Sequence, residues 1–336
     1  MHTPASASPP RLPEQDIVAT SGTAFPRLSH PVIAIGNFDG VHRGHQAVLA
    51  AGVALGRKLS RPVAALTFEP HPRTFFAPAK PMFRLTPAVL KPSILQAFGA
   101  EETISFDFNA DFASISAGSF IDDILIGRFG AAGVIVGHDF HFGRKREGSP
   151  EFLTRHAERI GLPVSIVEPV GDDAPVSSSA IRHALEDGEV KRANGLLGYR
   201  WLVRSSIIHG DARGRALGYP TANMKLDAHC RLRYGIYAVR VRVDGAVHAG
   251  VASFGSRPTF DDGAPLLEVH LFDFQGDLYG KTPAVEFIDW IRPELKFSSI
   301  EDLVIRMDED SKTARAMIAA ADADTAASDN ALSLLG

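Results

Sequence analysis

The chain contains a single cysteine, Cys230, among its 336 residues. One thiol cannot form a disulfide within the chain, so a disulfide framework is excluded and a reducing compartment is favoured. The residues around Cys230 form no pattern typical of a catalytic thiol, and we interpret it as a structural residue.

Two further absences narrow the class of protein. No stretch approaches the roughly 20 apolar residues that a membrane-spanning helix requires, and the first segment lacks the apolar core of a secretory signal. The formal net charge is −4, which gives no reason to expect a nucleic acid or an acidic membrane as a partner. We therefore expect a cytoplasmic protein that binds neither; association of identical chains stays open.

The first part of the chain alternates short apolar runs with segments of helical periodicity. Strands are predicted at 31–38, 62–69, 102–108, 132–137 and 163–169, and helices near 43–58, 87–98, 116–128 and 150–160. This alternation predicts an α/β domain with a doubly wound parallel sheet. Ligands of such sheets bind beyond the carboxyl ends of the strands.

The pattern changes after residue 198. Short alternating runs predict strands at 201–209, 235–243, 246–254, 266–274 and 283–291. An Asp-Gly pair at 244–245 is typical of a tight hairpin. A capping box at 298–301 predicts a final helix to about residue 320. This half is expected to form an antiparallel β-barrel with a terminal helix.

The patterns together predict two domains between two tails. The α/β domain is placed at 29–197 and the barrel domain at 198–320. The segments 1–28 and 321–336 are rich in small and polar residues or proline, and we expect them to be flexible.

A glycine-rich turn joins the first predicted strand to the first predicted helix. The turn, GNFDGVHRGH, spans 36–45 and places His42 and His45 three residues apart on one helix face. Gly44 removes a side chain between them, so a ligand can approach the backbone closely. Helix-start amides and two imidazoles suit a polyphosphate. We favour this interpretation over a capping turn with solvated histidines.

Other candidate side chains follow later predicted strands. The serines 177–179 provide hydroxyls at another helix start, where Arg182 can hold a phosphate through two donors. A serine cap with a surface arginine is the alternative. His71 lies between two prolines, in a loop that proline stiffening alone would also explain. The basic run at 144–146 fits a solvated loop and a flap over a triphosphate equally well.

A second glycine-rich segment lies in the barrel half, at 209–223. It lacks the spacing of a P-loop, but its glycines and arginines suit a backbone that wraps a phosphate. Thr221 and Asn223 face the same way in an extended segment, and their oxygens suit Mg²⁺. A long surface loop is the alternative. Glu268 can accept a proton from an attacking hydroxyl, unless it only forms part of a solvated strand face.

These motifs resemble the bacterial bifunctional riboflavin kinase/FMN adenylyltransferases, the FAD synthetase family. GNFDGVHRGH, TFEPHPR, VGHDFHFG and SSSAIR resemble the adenylyltransferase half, and GRALGYPTAN, YGIYAV, GVASFGSRPTF, LEVHLFDF and DLYGK the kinase half. The resemblance runs from about residue 31 to residue 315 and implies two steps. Riboflavin and ATP give FMN and ADP in the barrel, and FMN and ATP give FAD and pyrophosphate in the α/β domain.

The resemblance also implies roles for individual residues. Glu268 would be the base that activates the ribityl 5′-hydroxyl, and Thr221 and Asn223 would hold Mg²⁺ with ATP. His42, His45 and Arg182 would be the catalytic residues of adenylyl transfer. The residues expected to bind nucleotide or flavin are Gly36, Asn37, Phe38, Asp39, Gly40, Gly44, Pro70, His71, Pro72, Asp139, Ser177, Ser178, Ser179, Gly210, Arg213, Gly214, Arg215, Gly218, Pro220, Thr221 and Asn223.

Two other functions stay open on the sequence. The first is a single-activity adenylyltransferase whose barrel binds flavin without phosphorylating it, since Ser205 stands near a position where the family usually has glycine. The second is a non-enzymatic flavin-binding protein, which would need neither Glu268 nor the two histidines. Formation of FMN from riboflavin would exclude the first, and any turnover would exclude the second.

Overall fold

The computed structural model describes residues 17–19 (backbone only), 28–171, 174–209, 214, 217–256 and 265–323. Three residues of the predicted nucleotide site, Gly210, Arg213 and Arg215, lie outside these described residues. Most of the two predicted tails lies outside them as well. Within the described ranges, no helix is both long and apolar enough to cross a membrane.

The first half forms a six-stranded sheet in the order β1-β4-β3-β2-β5-β6. Its strands are β1 (Ile17–Ala19), β2 (Val32–Ile35), β3 (Val63–Glu69), β4 (Glu102–Asp107), β5 (Gly133–Gly137) and β6 (Val164–Val167). The edge strand β1 pairs antiparallel with β4, and all other neighbours are parallel. The segment predicted as an N-terminal tail thus contains a short strand.

Helices cover both faces of this sheet. They are α1 (Arg43–Leu59), α2 (Pro72–Phe76), α3 (Lys91–Ala97), α4 (Ala110–Ala113), α5 (Ala117–Ser119) with a π-helical continuation (Phe120–Arg128), α6 (Pro150–Ile160), α7 (Ser178–Glu186) and α8 (Val190–Leu197). Alternate residues of β2 enter two different cores: Val32 packs with α1 and α3, and Ile33 packs with the π-helix and α6. The predicted doubly wound sheet is confirmed.

The strand order fixes where a ligand can bind. After β2 the chain continues to β3 on one side of β2, and β5 lies on the other. The carboxyl ends of β2 and β5 therefore flank a crevice, which is where open α/β sheets hold their ligands. The turn at 36–42 follows β2, and Asp139 follows β5, so both lie at this crevice.

The second half forms a seven-stranded antiparallel sheet in the order β7-β13-β10-β11-β12-β9-β8. Its strands are β7 (Leu202–Arg204), β8 (Ile207–Ile208), β9 (Ala222–Lys225), β10 (Gly235–Val243), β11 (Ala246–Ser256), β12 (Pro265–Leu271) and β13 (Ala284–Arg292). The strands β7 and β8 occupy opposite edges, yet only Ser205 and Ser206 separate them. The sheet must therefore curl until its edges meet, which confirms the predicted barrel.

Two local features of this half differ from the sequence-based expectation. The predicted strand 201–209 is interrupted at Ser205, whose hydroxyl donates to the Lys225 carbonyl at 2.6 Å. The strand β9 begins at the end of the glycine-rich segment 209–223, for which a surface loop was the alternative interpretation. With only four residues, β9 is too short to show the alternation that identifies a strand.

The terminal helix α9 (Ile300–Ala323) packs across the barrel. Its residues Ala314 and Ile318 are buried against Ala238 of β10 and Ile288 of β13. Its cap is formed one residue later than predicted, because the Ser299 hydroxyl accepts from the Asp302 amide at 3.1 Å.

Candidate functional site

The turn after β2 has an unusual backbone. Phe38, Gly40 and Val41 have φ values of 49°, 93° and 38°, which lie in the left-handed region. Such values cost on the order of 1–3 kcal/mol for a residue with a side chain. Phe38 and Val41 are fully buried, and burial of a large apolar side chain contributes about 1.5–3 kcal/mol. Apolar packing thus offsets the strain that shapes the turn.

Asp39 holds the turn against two neighbouring segments. One carboxylate oxygen accepts from the amides of Leu85 and Thr86, each at 3.0 Å. The other accepts from the Arg182 guanidinium, and the Asp39 carbonyl accepts from the Ser178 hydroxyl at 2.7 Å. The Asp39 side chain is only 1% exposed. Its carboxylate therefore fixes the position of the turn from within the protein.

The two histidines of the motif lie together at the start of α1. His42 caps the helix, and its Nδ1 accepts from the His45 amide at 3.4 Å. The two rings stack with their centroids 3.8 Å apart and a 17° angle between their planes. A side chain at Gly44 would place its Cβ 3.1 Å from the His42 ring, so any larger residue would press on the stacked rings.

Both imidazoles are kept neutral by their surroundings. Burial lowers the pKa of His42 to about 4, although the nearby carboxylates of Asp39 and Asp139 act in the opposite direction. Burial also lowers the pKa of His45 well below its ordinary value, and the charge of Lys91 adds to this effect. The His45 Nδ1 atom is enclosed and has no hydrogen-bond partner among the described residues. A buried nitrogen without a partner is unusual in folded proteins and marks this turn as a candidate functional site.

The start of α7 comes close to the start of α1. A Cβ at Gly44 would lie 3.7 Å from the Val176 carbonyl oxygen, and Ser177 caps α7 by accepting from the Ala180 amide at 3.2 Å. Ser178 bonds to the turn itself. Two helix N-termini, each with unpaired amides and a positive dipole end, therefore meet at one place, which suits a polyanion.

Arg182 is more constrained than the sequence suggested. It is 6% exposed, and its Nε donates to the Phe83 carbonyl at 2.6 Å while Nη2 donates to Asp39. These contacts use two of its five N–H donors, so the predicted two-donor grip on a phosphate would depend on the remaining donors of Nη1 and Nη2. Direct contact of Arg182 with the triphosphate stays a prediction.

A buried ion network that the sequence analysis missed lies beneath the turn. Glu69 accepts from two Arg84 nitrogens, at 2.8 and 3.0 Å, and from the Lys91 ammonium at 2.6 Å. Lys91 is 2% exposed and also reaches the Asn37 carbonyl at 3.2 Å and the Thr67 hydroxyl at 3.3 Å. Lys91 thus ties the turn to the end of β3. The sequence signal was a lone lysine in the helix predicted at 87–98.

His71 and Asp139 lie at the same edge of the sheet. His71 caps α2, where its Nδ1 accepts from the Arg73 amide at 3.1 Å, and burial lowers its pKa to about 4. A charge on His71 lowers the pKa of His45, and the Asp139 carboxylate acts to raise the pKa of His42. The structure therefore brings these residues towards the two histidines, whereas the basic run at 144–146 is exposed.

The second candidate site lies in the barrel. Glu268 of β12 is directly opposite Asn223 of β9 in the strand register, and Glu268 lines a cavity of about 270 Å³ together with Thr221. The other lining residues are Tyr219, Ile236, Val251, Ala252, Ser253, His270, Arg292, Glu294, Leu295, Phe297, Leu303, Met307 and Asp310. The cavity combines apolar walls with polar and charged side chains, a combination that small-molecule sites use for burial and orientation.

Asn223 is the described residue that best fits a metal or nucleotide contact. It is 6% exposed, and its side-chain oxygen is buried without a hydrogen-bond partner among the described residues. An amide oxygen of this kind suits Mg²⁺, which usually also keeps waters and substrate phosphates as ligands. Among the described residues no group of three or more His, Cys, Asp or Glu side chains could hold a metal.

The sequence analysis also missed the charged rim of the cavity. Arg292 forms a two-point ion pair with Asp310 of α9, at 2.8 and 2.5 Å. Burial raises the pKa of Glu294, and the charge of Glu268 adds to this rise. These residues lie on β13, just beyond it and on α9, far in sequence from the motifs, so only folding brings them to Glu268.

The described part of the glycine-rich segment is tied to its surroundings. The Tyr219 hydroxyl donates to Asp308 of α9, and the Pro220 carbonyl lies 2.9 Å from His270 Nδ1. Gly218 has a φ of 81°. Gly214 approaches the Tyr219 carbonyl so closely that a Cβ would lie 2.2 Å from that oxygen. These glycines permit a tight turn beside the cavity.

A crevice that suits phosphate on a doubly wound sheet, followed by a barrel with an acidic residue in its cavity, is the architecture expected of a two-domain nucleotide-dependent transferase. The family model described as FAD synthetase matches residues 25–180, and the model described as riboflavin kinase matches residues 197–318. The chain belongs to the family of bifunctional riboflavin kinase/FMN adenylyltransferases. The predicted pairing of the two enzyme activities is confirmed, and the single-activity and non-enzymatic alternatives are not favoured.

Relatives of known name cover most of the chain. The bifunctional riboflavin kinase/FMN adenylyltransferase of Pseudomonas fluorescens is 39% identical over 86% of this chain and 93% of its own. The proteins of the same name from Listeria monocytogenes and Escherichia coli K12 are 35% and 37% identical, over 92% and 91% of their lengths.

A solved structure shares the whole arrangement. The crystal structure described as a macrolide-efflux protein from Streptococcus pneumoniae superposes with a TM-score of 0.78 at 33% identity, over 88% of this chain and 97% of that one. The similarity concerns the fold and the sequence; the efflux in that description is not carried over to this chain.

Proposed function

We propose that the crevice at 36–45 is the adenylyltransferase site and that the barrel cavity is the riboflavin kinase site. The convergence of the α1 and α7 N-termini carries the first assignment. The opposition of Glu268 and Asn223 carries the second. Pro70, His71, Pro72 and Asp139 are proposed to border the flavin or the nucleotide of the first site.

In the kinase step, Glu268 takes the proton of the riboflavin 5′-hydroxyl. The oxygen then forms a bond to the γ-phosphorus of ATP, the bond to the β–γ bridging oxygen breaks, and ADP leaves. Thr221 and Asn223 would hold Mg²⁺, and the ion would supply positive charge that offsets the charge of the phosphates. The enclosed Asn223 oxygen supports this, because it lacks a partner among the described residues.

In the adenylyl step, a phosphate oxygen of FMN attacks the α-phosphorus of a second ATP. The bond between the α- and β-phosphates breaks, and pyrophosphate leaves. His42, His45 and the amides of α1 and α7 stabilise the charge that develops on the phosphates. Positioning and fixed dipoles supply most of such catalysis. In the chain without ligand, burial lowers the pKa of both histidines, so both imidazoles are neutral before the triphosphate binds.

A product assay tests both assignments at once. The protein is incubated with riboflavin, ATP and Mg²⁺, and FMN, ADP, FAD and pyrophosphate are separated by chromatography. We expect ADP to appear together with FMN, and pyrophosphate together with FAD. Chelation of Mg²⁺ should stop the formation of FMN and ADP. The proposed scheme would be refuted if FAD formed from riboflavin without FMN as an intermediate, or if FMN formed at the full rate after chelation of Mg²⁺. The low cysteine content favours a cytoplasmic enzyme.

A further inference from the structure

The backbone of Gly40 is held by two hydroxyl groups, one at each of its two peptide groups. The Gly40 amide donates to the Thr86 hydroxyl at 3.0 Å, and the Gly40 carbonyl accepts from the Tyr199 hydroxyl at 2.7 Å. Thr86 is 1% exposed and Tyr199 is 4% exposed. Because both contacts are buried, water cannot replace either hydroxyl as the hydrogen-bond partner of the Gly40 backbone.

Tyr199 comes from the beginning of the kinase half. It precedes β7 by three residues and lies inside the riboflavin kinase match, at 197–318. The neighbouring Trp201 also reaches back, because its Nε1 donates to the Leu85 carbonyl at 2.9 Å. The Leu85 amide in turn binds Asp39. Two aromatic side chains of the kinase half therefore support the turn of the adenylyltransferase half.

The supported peptide is next to the residues that would act on the triphosphate. Gly40 has a φ of 93° and lies two residues before His42. A rotation of the Gly40–Val41 peptide, whose carbonyl Tyr199 holds, would move the cap of α1 and the stacked imidazoles. Burial raises the pKa of Tyr199 above its ordinary value, so its hydroxyl keeps the proton and stays a donor. Small displacements at a reacting centre lower rates strongly.

We propose that Tyr199 is a positioning residue of adenylyl transfer: its hydroxyl fixes the Gly40 carbonyl, and so the kinase half completes the adenylyltransferase site. The inference rests on the proposed assignment of adenylyl transfer to the turn that carries His42 and His45. It adds a group that touches neither substrate and that belongs to the other half of the chain.

The test compares two buried tyrosines in the full-length protein. Tyr199→Phe removes one hydroxyl and keeps the ring. Tyr237→Phe does the same in the barrel, where the hydroxyl donates to the Arg233 carbonyl. We expect Tyr199→Phe to lower kcat for FAD formation from FMN about tenfold and to change KM for ATP less than about twofold. FMN formation from riboflavin should be unchanged in both variants, and adenylyl transfer should be unchanged in Tyr237→Phe.

A second pair of variants covers the case in which Tyr199→Phe does not fold. Thr86→Val removes the acceptor of the Gly40 amide, and Thr86→Ser keeps it. We expect Thr86→Val to lower kcat for FAD formation and Thr86→Ser to restore it. The inference is overturned if Tyr199→Phe or Thr86→Val retains the wild-type kcat, or if Tyr237→Phe lowers it equally.

A variant of the proposed site separates the inference from the assignment beneath it. If His45→Ala abolishes FAD formation while Tyr199→Phe and Thr86→Val are normal, only the role of Tyr199 fails. If His45→Ala itself forms FAD at the normal rate, the assignment of the site fails.

Discussion

The two sites differ in how the oxygen atoms of their side chains are hydrogen-bonded. In the α/β crevice, Asp39 and Glu69 are each bound by several donors from within the protein. In the barrel, the enclosed oxygen of Asn223, opposite Glu268 in the strand register, has no partner among the described residues. The turn of the crevice is therefore fixed by the protein itself before any substrate arrives, although His45 Nδ1 also lacks a partner among the described residues. The unpaired oxygen of Asn223 has no comparable support from the part of the protein that the structure describes. We therefore expect substitutions remote from substrate to lower activity in the crevice, in addition to those that contact substrate. In the cavity we expect the large losses of activity only at residues that contact substrate.

The largest expected effect separates the two sites outright. Glu268→Ala removes the proposed base, so FMN formation from riboflavin should fall about 100- to 10,000-fold. FAD formation from supplied FMN should be unchanged, as measured by chromatography. Asp289→Ala, which removes another barrel carboxylate outside the lining of the cavity, serves as the matched control. Equal loss of both activities in folded Glu268→Ala would contradict the two-site account.

The reverse separation comes from the crevice. His45→Ala removes an imidazole from the phosphate site, and we expect FAD formation to fall about 100- to 1,000-fold, as for loss of a charge-stabilising donor. FMN should then accumulate from riboflavin, because the kinase is intact. His183→Ala, on the exposed face of α7, should behave like wild type. A normal yield of FAD from His45→Ala would remove the histidine from the mechanism.

A variant remote from substrate sharpens the comparison. Lys91→Met removes the ammonium that donates to Glu69, to the Thr67 hydroxyl and to the Asn37 carbonyl, which keeps the Thr67 hydroxyl as a donor at 3.0 Å. Loss of a hydrogen bond to a charged group costs about 1.5–3 kcal/mol of unfolding free energy. Because Arg84 still binds Glu69, we expect a folded protein with slower adenylyl transfer and a normal kinase. Urea unfolding and both product assays measure this, with the exposed Lys80→Met as the control. Unimpaired adenylyl transfer would show that the network is not needed to hold the turn.

The smallest expected effect concerns pH. The pKa of His42 is lowered to about 4 in the folded chain, whereas an unfolded histidine titrates near about 6.5. The unfolded state then binds more protons in this window, so stability is complete above pH 6.5 and is lost as the pH falls towards 4. His42→Asn can still cap α1 and should flatten this part of the pH profile of urea unfolding. An unchanged slope would mean that His42 is not protonated on unfolding.

Much of the fold could be predicted because its signals are local. The buried parallel strands are continuous apolar runs, such as the four residues of β2, and the hairpin at Asp244–Gly245 joins β10 to β11. By contrast, β9 is short and gains its identity from pairing with β12. The edge contact at Ser205 likewise depends on how the barrel curls.

Prediction of the candidate sites was uneven for the same reason. His42, Gly44 and His45 lie within four residues of one another, so their spacing alone indicates that the two histidines share one face of the helix. Lys91 and Tyr199 are far from the turn they support, and a lone lysine or tyrosine in a periodic segment carries no signal. The predicted nucleotide contacts at Gly210, Arg213 and Arg215 stay predictions, since they lie outside the described residues.

The sequence by itself determined the kinds of element, their order and the chemistry available to each site, because backbone propensity and side-chain type are properties of neighbouring residues. Only the tertiary structure decided which groups face the ligands and which are used inside the protein. Arg182 shows the difference: its position suggests a phosphate ligand, yet burial beside Asp39 commits two of its donors. A buried charge must find its partner within the fold, and that partner is chosen by packing across the chain.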